Sequence, residues 1–155
     1  MQPLNWSQTL AERAQKLANK LAIKQSITPA DLEEENGESV AQLWQSTKDG
    51  ASKSTNLWYK EIKNYSFSYP ELTPQNHHFV QMVWKETKEL GMAKAKSPYG
   101  DYYFVVALYN PPGVNSRTLV KNVFHLKKGV DVYSTFRRQN IIKTIPKRPN
   151  KQHRP

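Results

Sequence analysis

The sequence predicts an α+β fold, in which helices pack against a small antiparallel sheet. Apolar residues recur at helical spacing through most of the first half of the chain, whereas residues 102–109 are aromatic and β-branched. A chain of 155 residues is long enough to bury the core of one ordinary domain. We therefore expect a single domain whose helices mostly precede its strands.

The first helix is predicted over residues 7–23. Its apolar positions lie on one helical face: Leu10, Ala14, Leu17, Ala18 and Leu21. Asn5 or Ser7 can cap its amino terminus. A second, short helix is predicted over residues 28–36, because the order Thr-Pro-Ala-Asp at its start is typical of a helix beginning.

Three further helices are predicted before residue 90. The spacing of Val40, Leu43 and Trp44 favours a short helix over residues 38–48. A helix from residue 52 places four side chains on one face: Leu57, Trp58, Glu61 and Ile62. Asn76 can cap the last of the three, which runs to about residue 85.

A β-hairpin is predicted after these helices. Residues 90–96 partly alternate between apolar and polar, residues 97–101 are rich in turn formers, and residues 102–109 form the second strand. Pro111 and Pro112 end that strand because proline cannot donate to a sheet ladder.

The composition excludes several functional classes. The chain has no cysteine, so it forms no disulfide and has no thiolate nucleophile or cysteine-ligated zinc; it fits a reducing compartment or is indifferent to redox state. The sequence contains neither a recognisable signal peptide nor the run of about 20 apolar residues that a membrane helix needs.

The positive charge lies at the carboxyl end. Residues 1–116 contain 12 lysines and arginines and 12 acidic residues, whereas residues 117–155 contain 11 basic residues and only Asp131. The net charge of +10 therefore belongs to the second segment. We predict a domain over residues 1–116 and a basic, largely disordered tail over residues 117–155.

Several segments resemble signatures of a known family. The run His78-Phe79-Val80-Gln81-Met82-Val83-Trp84 follows the first signature of the CAP superfamily of cysteine-rich secretory, antigen 5 and pathogenesis-related proteins. Residues 104–115 resemble its second signature, with Tyr109, Pro111 and Gly113 in the family positions. Two upstream segments resemble its Gly-Glu-Asn and Trp-Tyr-x-Glu motifs: Gly37-Glu38-Ser39 and Trp58-Tyr59-Lys60-Glu61.

The resemblance extends over about residues 3–115 and implies an α/β/α CAP sandwich. The absence of cysteine places the chain nearest the intracellular Golgi-associated plant-pathogenesis-related branch. Family members have a further helix before the segment that begins here at Pro3. The resemblance therefore implies an amino-terminally shortened domain that lacks the first family helix.

The resemblance also implies a cleft with two histidines and two glutamates, of which Glu38, Glu61 and His78 match three. The first family histidine is missing, and Gln25 is its nearest counterpart. An amide is a poor zinc ligand, so no cofactor is expected and divalent metal should bind weakly or not at all, with His78 and Glu61 as candidate ligands. His77 has no family counterpart and is expected at the surface.

The implied function is non-enzymatic association with lipids or anionic membranes. Basic tail residues would bind the anionic surface: Lys127, Lys128, Arg137, Arg138, Lys143, Lys147 and Arg148. The implied location is intracellular, either cytoplasmic or peripheral to the Golgi and other endomembranes.

Other functions are compatible with the same residues. The chain could be a secreted-type CAP effector or defence protein whose signal peptide is missing, which would place it outside the cell, or a metal-assisted hydrolase. The tail could be solvated without a dedicated partner, and a homodimer is a further candidate. Nucleic acid is disfavoured because no base-reading helix or aromatic platform accompanies the basic residues.

Overall fold

The sheet of the computed structural model contains four strands in the described part of the chain, residues 2–28, 37–45 and 49–126. The strands are β1 (Asn5–Trp6), β2 (Gly37–Trp44), β3 (Glu89–Lys96) and β4 (Tyr102–Asn110), in the spatial order β1-β3-β4-β2. Strands β3 and β4 pair antiparallel, as the predicted hairpin requires. Strand β2 also pairs antiparallel to β4, whereas β1 pairs parallel to β3. The sheet is therefore mixed. A two-residue hairpin can join only antiparallel strands, and the long connection between β1 and β3 allows them to be parallel.

The described helices are α1 (Gln8–Lys24), α2 (Gly50–Tyr59), α3 (His77–Met82) and α4 (Leu119–Asn122). A 3₁₀ helix, Lys60–Asn64, continues α2, and a shorter one, Ser116–Thr118, precedes α4. The predicted first helix is confirmed, and Ser7 caps it by accepting a hydrogen bond from the Leu10 N–H at 3.4 Å. In the described ranges, no helix has the length and apolar character needed to cross a membrane.

The helices cover both faces of the sheet. The buried stripe of α1, from Leu10 to Leu21, packs against Phe104, Val106 and Leu108 of β4. On the opposite face, Trp58 of α2 packs against the intervening β4 residues and Ala41. The side chains of β4 alternate between two cores, as a strand between two helical layers requires. The predicted sandwich, with helices on both faces of the sheet, is confirmed.

The helix predicted over residues 38–48 is wrong, because residues 38–44 belong to strand β2. It pairs with β4 along its whole length, from Gly37 opposite Tyr109 to Trp44 opposite Tyr102. Over so short a run, three apolar residues are compatible with the period of a helix and with that of a strand. The pairing with β4 decides between these two structures. Residues 29–36, which hold most of the second predicted helix, lie outside the described residues.

The buried side chain of Gln81 joins three separate segments. Its Oε1 accepts the Gly113 N–H at 2.8 Å, and its Nε2 donates to Thr87 Oγ1 at 3.2 Å. The Thr87 hydroxyl donates to the Pro111 carbonyl at 3.0 Å. A Cβ on Gly37 would lie 2.0 Å from Gln81 Oε1, so a side chain there would displace the Gln81 amide from its hydrogen bonds. This network fixes α3 against the start of β2 and the turn after β4.

The compact unit that begins at the amino terminus extends to Phe124, past the boundary predicted at residue 116. Leu119 and Val123 are buried, which explains why the packed chain continues beyond that point. A second unit is assigned to His125–Pro155, of which only residues 125–126 are described. The disorder predicted for the tail therefore stays a prediction.

We predict that Gly91→Ala destabilises the domain. A Cβ on Gly91 would lie 2.2 Å from the backbone nitrogen of Ala11 in α1, and a backbone atom cannot rotate away. Overpacking of this kind costs about 1–3 kcal/mol of unfolding free energy. Urea denaturation would measure the loss. Gly100→Ala is the control, since its Cβ would meet Tyr102 at 3.3 Å; equal stability of the two variants would contradict the prediction.

Candidate metal-binding cleft

The carboxylate of Glu61 binds the amino terminus of α3. Its Oε2 accepts the backbone N–H groups of His78 at 3.0 Å and Phe79 at 3.2 Å, and its Oε1 lies 2.7 Å from His78 Nδ1. An anion at a helix amino terminus satisfies donors that have no partner within the helix. Glu61, in the 3₁₀ helix after α2, therefore holds the start of α3 in place.

Asn76 has a different role from the predicted helix cap. Although it occupies the position before α3, its side chain makes no capping hydrogen bond. The amide instead binds the preceding loop, donating to the carbonyls of Asn64 and Glu71 and accepting the Thr73 N–H. Glu61 can cap α3 in its place because the loop brings the 3₁₀ helix against the start of α3.

The contact with Glu61 selects the tautomer of His78. An ionised carboxylate only accepts hydrogen bonds, so Nδ1 of His78 carries the proton and Nε2 keeps its lone pair. The side chain is 21% exposed and stacks on Trp58, with ring centroids 6.0 Å apart. Burial lowers the pKa of His78 below 6.5; the Glu61 hydrogen bond raises it and nearby His77 lowers it, which leaves a net decrease.

Two cavities meet at His78. One, of about 290 Å³, is lined by Ile27, Glu38, Val40, His77 and His78. The other, of about 360 Å³, also has Val40 and His78 in its lining and adds Glu61 and Trp58. The structure thus brings Glu61 and His78 into direct contact, and Glu38 and His78 line the same cavity.

Gln25, the predicted counterpart of the missing histidine, lies at the carboxyl end of α1. It is exposed and has a left-handed φ of 57°, and Ile27 is the residue of this segment that lines the first cavity. His77 lies in that lining, although the sequence predicts it at the surface. This place depends on the loop before α3, whose Pro74 carbonyl contacts the His77 ring, and no local sequence pattern predicts it.

Three side chains could bind a metal together. One ligand atom each from Glu61, His77 and His78 lies within 4.8 Å of the other two. The His77 and His78 rings have centroids 3.8 Å apart, and His77 Nδ1 lies 2.8 Å from the Pro74 carbonyl.

The basic residues predicted to bind membranes lie outside the described residues. They are Lys127, Lys128, Arg137, Arg138, Lys143, Lys147 and Arg148.

Comparison with known proteins identifies the family. Residues 1–109 match the model of the CAP cysteine-rich secretory protein family. The chain belongs to the CAP family. Human Golgi-associated plant pathogenesis-related protein 1 is 37% identical over 130 residues, which cover 81% of this CAP chain and 82% of the human protein. Saccharomyces cerevisiae PRY2 is 31% identical over 112 residues, but these cover only 31% of PRY2.

Solved CAP structures agree with the fold. BmVAL-1 superposes with a TM-score of 0.60 at 24% identity, covering 73% of this CAP chain and 61% of BmVAL-1. The venom allergen-like protein 4 of Schistosoma mansoni gives 0.55 at 27% identity, covering 72% and 69%. NaASP2, solved with Zn²⁺, gives 0.57 at 21% identity, covering 75% and 64%. The match to BmVAL-1 and NaASP2, both below 25% identity, concerns the fold alone.

We predict that His78 of this CAP domain titrates below pH 6.5 in the metal-free protein, with the proton of the neutral ring on Nδ1. Because the folded pKa is lowered, the neutral ring stabilises the fold above pH 6.5, and this stability is lost as pH falls through the folded pKa. Imidazole ¹⁵N NMR would measure both the tautomer and the pKa.

Glu61→Gln should lower the pKa of His78 further, because the carboxylate raises it. The variant should also lose about 1–3 kcal/mol of stability, since an amide replaces the acceptor of charge-assisted hydrogen bonds. Glu71→Gln, at an exposed position, is the control. An unchanged pKa and unfolding midpoint in Glu61→Gln would show that the carboxylate does not hold His78 and α3.

Proposed function

We propose that this protein is a non-enzymatic CAP-domain protein that associates with anionic lipid surfaces. The observation that carries the proposal is the separation of charge, with 11 basic residues and one acidic residue after position 116 and equal numbers before it. Each basic residue near an anionic surface contributes about 1 kcal/mol. The attraction should therefore reside in the carboxyl-terminal segment.

The described part of this segment supports the proposal. Leu119, Asn122 and Val123 are buried, whereas Val120 is 69% and Phe124 54% exposed. Arg117 and Lys121 are exposed in the same short stretch, and the Lys85 ammonium lies 5.3 Å from the Phe124 ring centroid. We call this set of exposed residues, Lys85, Arg117, Val120, Lys121 and Phe124, the carboxyl-terminal patch. Exposed apolar side chains among cations suit the interface of an anionic membrane.

The cleft favours binding over hydrolysis. Glu61 already accepts two backbone N–H groups and one imidazole N–H, so this carboxylate is a structural anchor of α3. A general base would have to leave that position to accept a proton from water. This commitment of Glu61 supports a protein that binds without catalysing a reaction.

The proposed location is intracellular, at the cytoplasmic surface of the Golgi or other endomembranes. The name of the human relative supports this location, since that protein is called Golgi-associated. Secreted RBT4 of Candida albicans is a more distant match, at 32% identity over 113 residues that cover 30% of its length.

Neutralising the tail should abolish most binding to anionic vesicles. Replacing Arg137, Arg138, Lys147 and Arg148 by Gln removes four charges, which at about 1 kcal/mol each corresponds to at least a hundredfold weaker partitioning. Co-sedimentation with vesicles of phosphatidylserine and phosphatidylcholine would measure it. Binding of the unmodified chain should also weaken as salt shortens the screening length from about 10 Å at 0.1 M toward 3 Å at 1 M.

A matched variant controls for total charge. Gln in place of the exposed lysines Lys16, Lys20, Lys53 and Lys63 removes the same charge from the domain and should bind as the unmodified chain does. If both variants bind equally well and salt has no effect, the tail is not the membrane-binding element. Phe124→Ala then tests whether the carboxyl-terminal patch alone provides the contact.

A further inference from the structure

The outer edge of strand β3 is unpaired over most of its length. In the described residues, β1 pairs only with the first two residues of β3, and the chain then enters α1. Because the Ser97 N–H donates to the Tyr102 carbonyl at 2.8 Å, the odd-numbered β3 residues bond to β4 and the even-numbered ones point outward. The main-chain groups of Met92, Lys94 and Lys96 therefore lie on an edge that no described strand covers.

This edge accepts hydrogen bonds from donors outside the strand ladder. Gln15 Nε2, on α1, donates to the Lys94 carbonyl at 3.1 Å, and the Ser7 N–H donates to the Leu90 carbonyl at 2.9 Å. Both carbonyls belong to even-numbered residues, which agrees with the outward direction of their main-chain groups. The Gln15 side chain is exposed, so the main chain of an incoming strand can replace its amide at this carbonyl.

An apolar cavity of about 250 Å³ lies beside this edge. Its lining is mostly apolar: Trp6, Ala51, Met92, Ala93, Lys94 and Val105. Trp6 is 59% exposed, although it borders the cavity. Strand alternation places the even-numbered side chains of β3 on this face of the sheet, because Ala93 packs toward α1. A side chain opposite Met92 on an added strand would therefore reach the cavity.

Two cations follow the cavity along the edge. The ammonium groups of Lys94 and Lys96 lie 5.9 and 6.0 Å from the ring centroid of Tyr103, so both lie on the same face of the sheet. Lys96 also contacts Asp101 at 3.4 Å, but both side chains are more than half exposed, where an ion pair contributes little. A second copy paired at this edge would add two more cations to the same face, whereas acidic side chains would complement them.

We propose that an extended, acidic segment of a partner protein adds to the edge of β3 as a further strand. Its main chain pairs with Met92, Lys94 and Lys96. An apolar side chain opposite Met92 fills the cavity, and acidic side chains lie opposite the two lysines. In this mode of recognition the main-chain hydrogen bonds supply affinity and the alternate side chains supply specificity. The recognised segment therefore alternates, with an apolar residue at one end and acidic residues at every second position after it.

Short peptides with this alternation test the proposal. Fluorescence polarisation of labelled Leu-Thr-Glu-Thr-Glu and of the reverse sequence, both with blocked termini, would measure affinity for the full chain in either strand direction. Lys94→Gln/Lys96→Gln should weaken binding of the preferred peptide by about three- to thirtyfold, because two cross-strand charge pairs are lost. Lys63→Gln/Lys121→Gln removes the same charge at exposed positions in other elements and should bind as the unmodified chain does.

Peptides methylated on alternate main-chain nitrogens distinguish strand addition from charge attraction alone. An added strand directs every second N–H to β3 and the others to solvent, so one methylation pattern should abolish binding and the other should preserve it. Hydrogen exchange at the Met92 N–H should slow in the complex. Equal binding of both methylated peptides, unchanged exchange at Met92, or equal affinity of the two lysine variants would overturn the proposal.

Trp6→Ala tests the cavity, since the variant loses one wall of it. The unmodified chain should prefer the leucine peptide to the same peptide with alanine at that position, and a folded Trp6→Ala chain should lose this preference. Thermal unfolding establishes that the variant is folded, and a preference that persists in it would contradict the proposal. A peptide-free dimer in which the Met92 N–H is already protected would assign the edge to a second copy and would equally overturn the choice of partner.

Discussion

The cleft depends on the carboxylate of Glu61, which bridges two segments that are distant in sequence. It joins the 3₁₀ helix after α2 to the first turn of α3 through two backbone N–H groups and one imidazole. A buried or partly buried charge is stabilising only when its hydrogen-bonding capacity is met, and here the helix amino terminus meets it. The same contact fixes the helix position, the ring orientation of His78 and the ring nitrogen that carries the proton.

Gln81 supplies the complementary constraint one turn further along α3. Its amide accepts the Gly113 N–H and fills the space beside Gly37, so β2 and the turn after β4 lie close to the helix. The residues that resemble the two family signatures are thus joined by direct hydrogen bonds. Glu61 and Gln81 together hold α3 at both ends, which explains how a helix of six residues keeps a defined place.

Much of the fold could be predicted from sequence because its long elements have clear periods. Helix α1 and the β3–β4 hairpin form where the apolar pattern places them. Strand β2 could not be predicted, because a short apolar run fits either period and its pairing with β4 is a long-range contact. Strand β1 has two residues and no pattern at all.

Part of the candidate site could likewise be predicted from the sequence, and part could not. Glu38, Glu61 and His78 could be placed from the resemblance, whereas the place of His77 in the cavity could not. That position depends on the loop before α3, where the Pro74 carbonyl accepts a hydrogen bond from Nδ1 of His77. No local sequence pattern encodes such a contact.

The indole of Trp58 has a consequence for solubility. Strand β2 is an edge of the described sheet. Because the Gln45 N–H bonds to the Asp101 carbonyl, the backbone N–H and C=O groups of the odd-numbered β2 residues point toward β4. The carbonyl of the even-numbered residue Val40 therefore points to the open side of the sheet. Trp58 Nε1 donates to that carbonyl at 3.3 Å. An edge acceptor engaged by a buried indole is withdrawn from pairing with a strand of another molecule. The tryptophan that fills one core therefore also protects the chain against edge-to-edge aggregation.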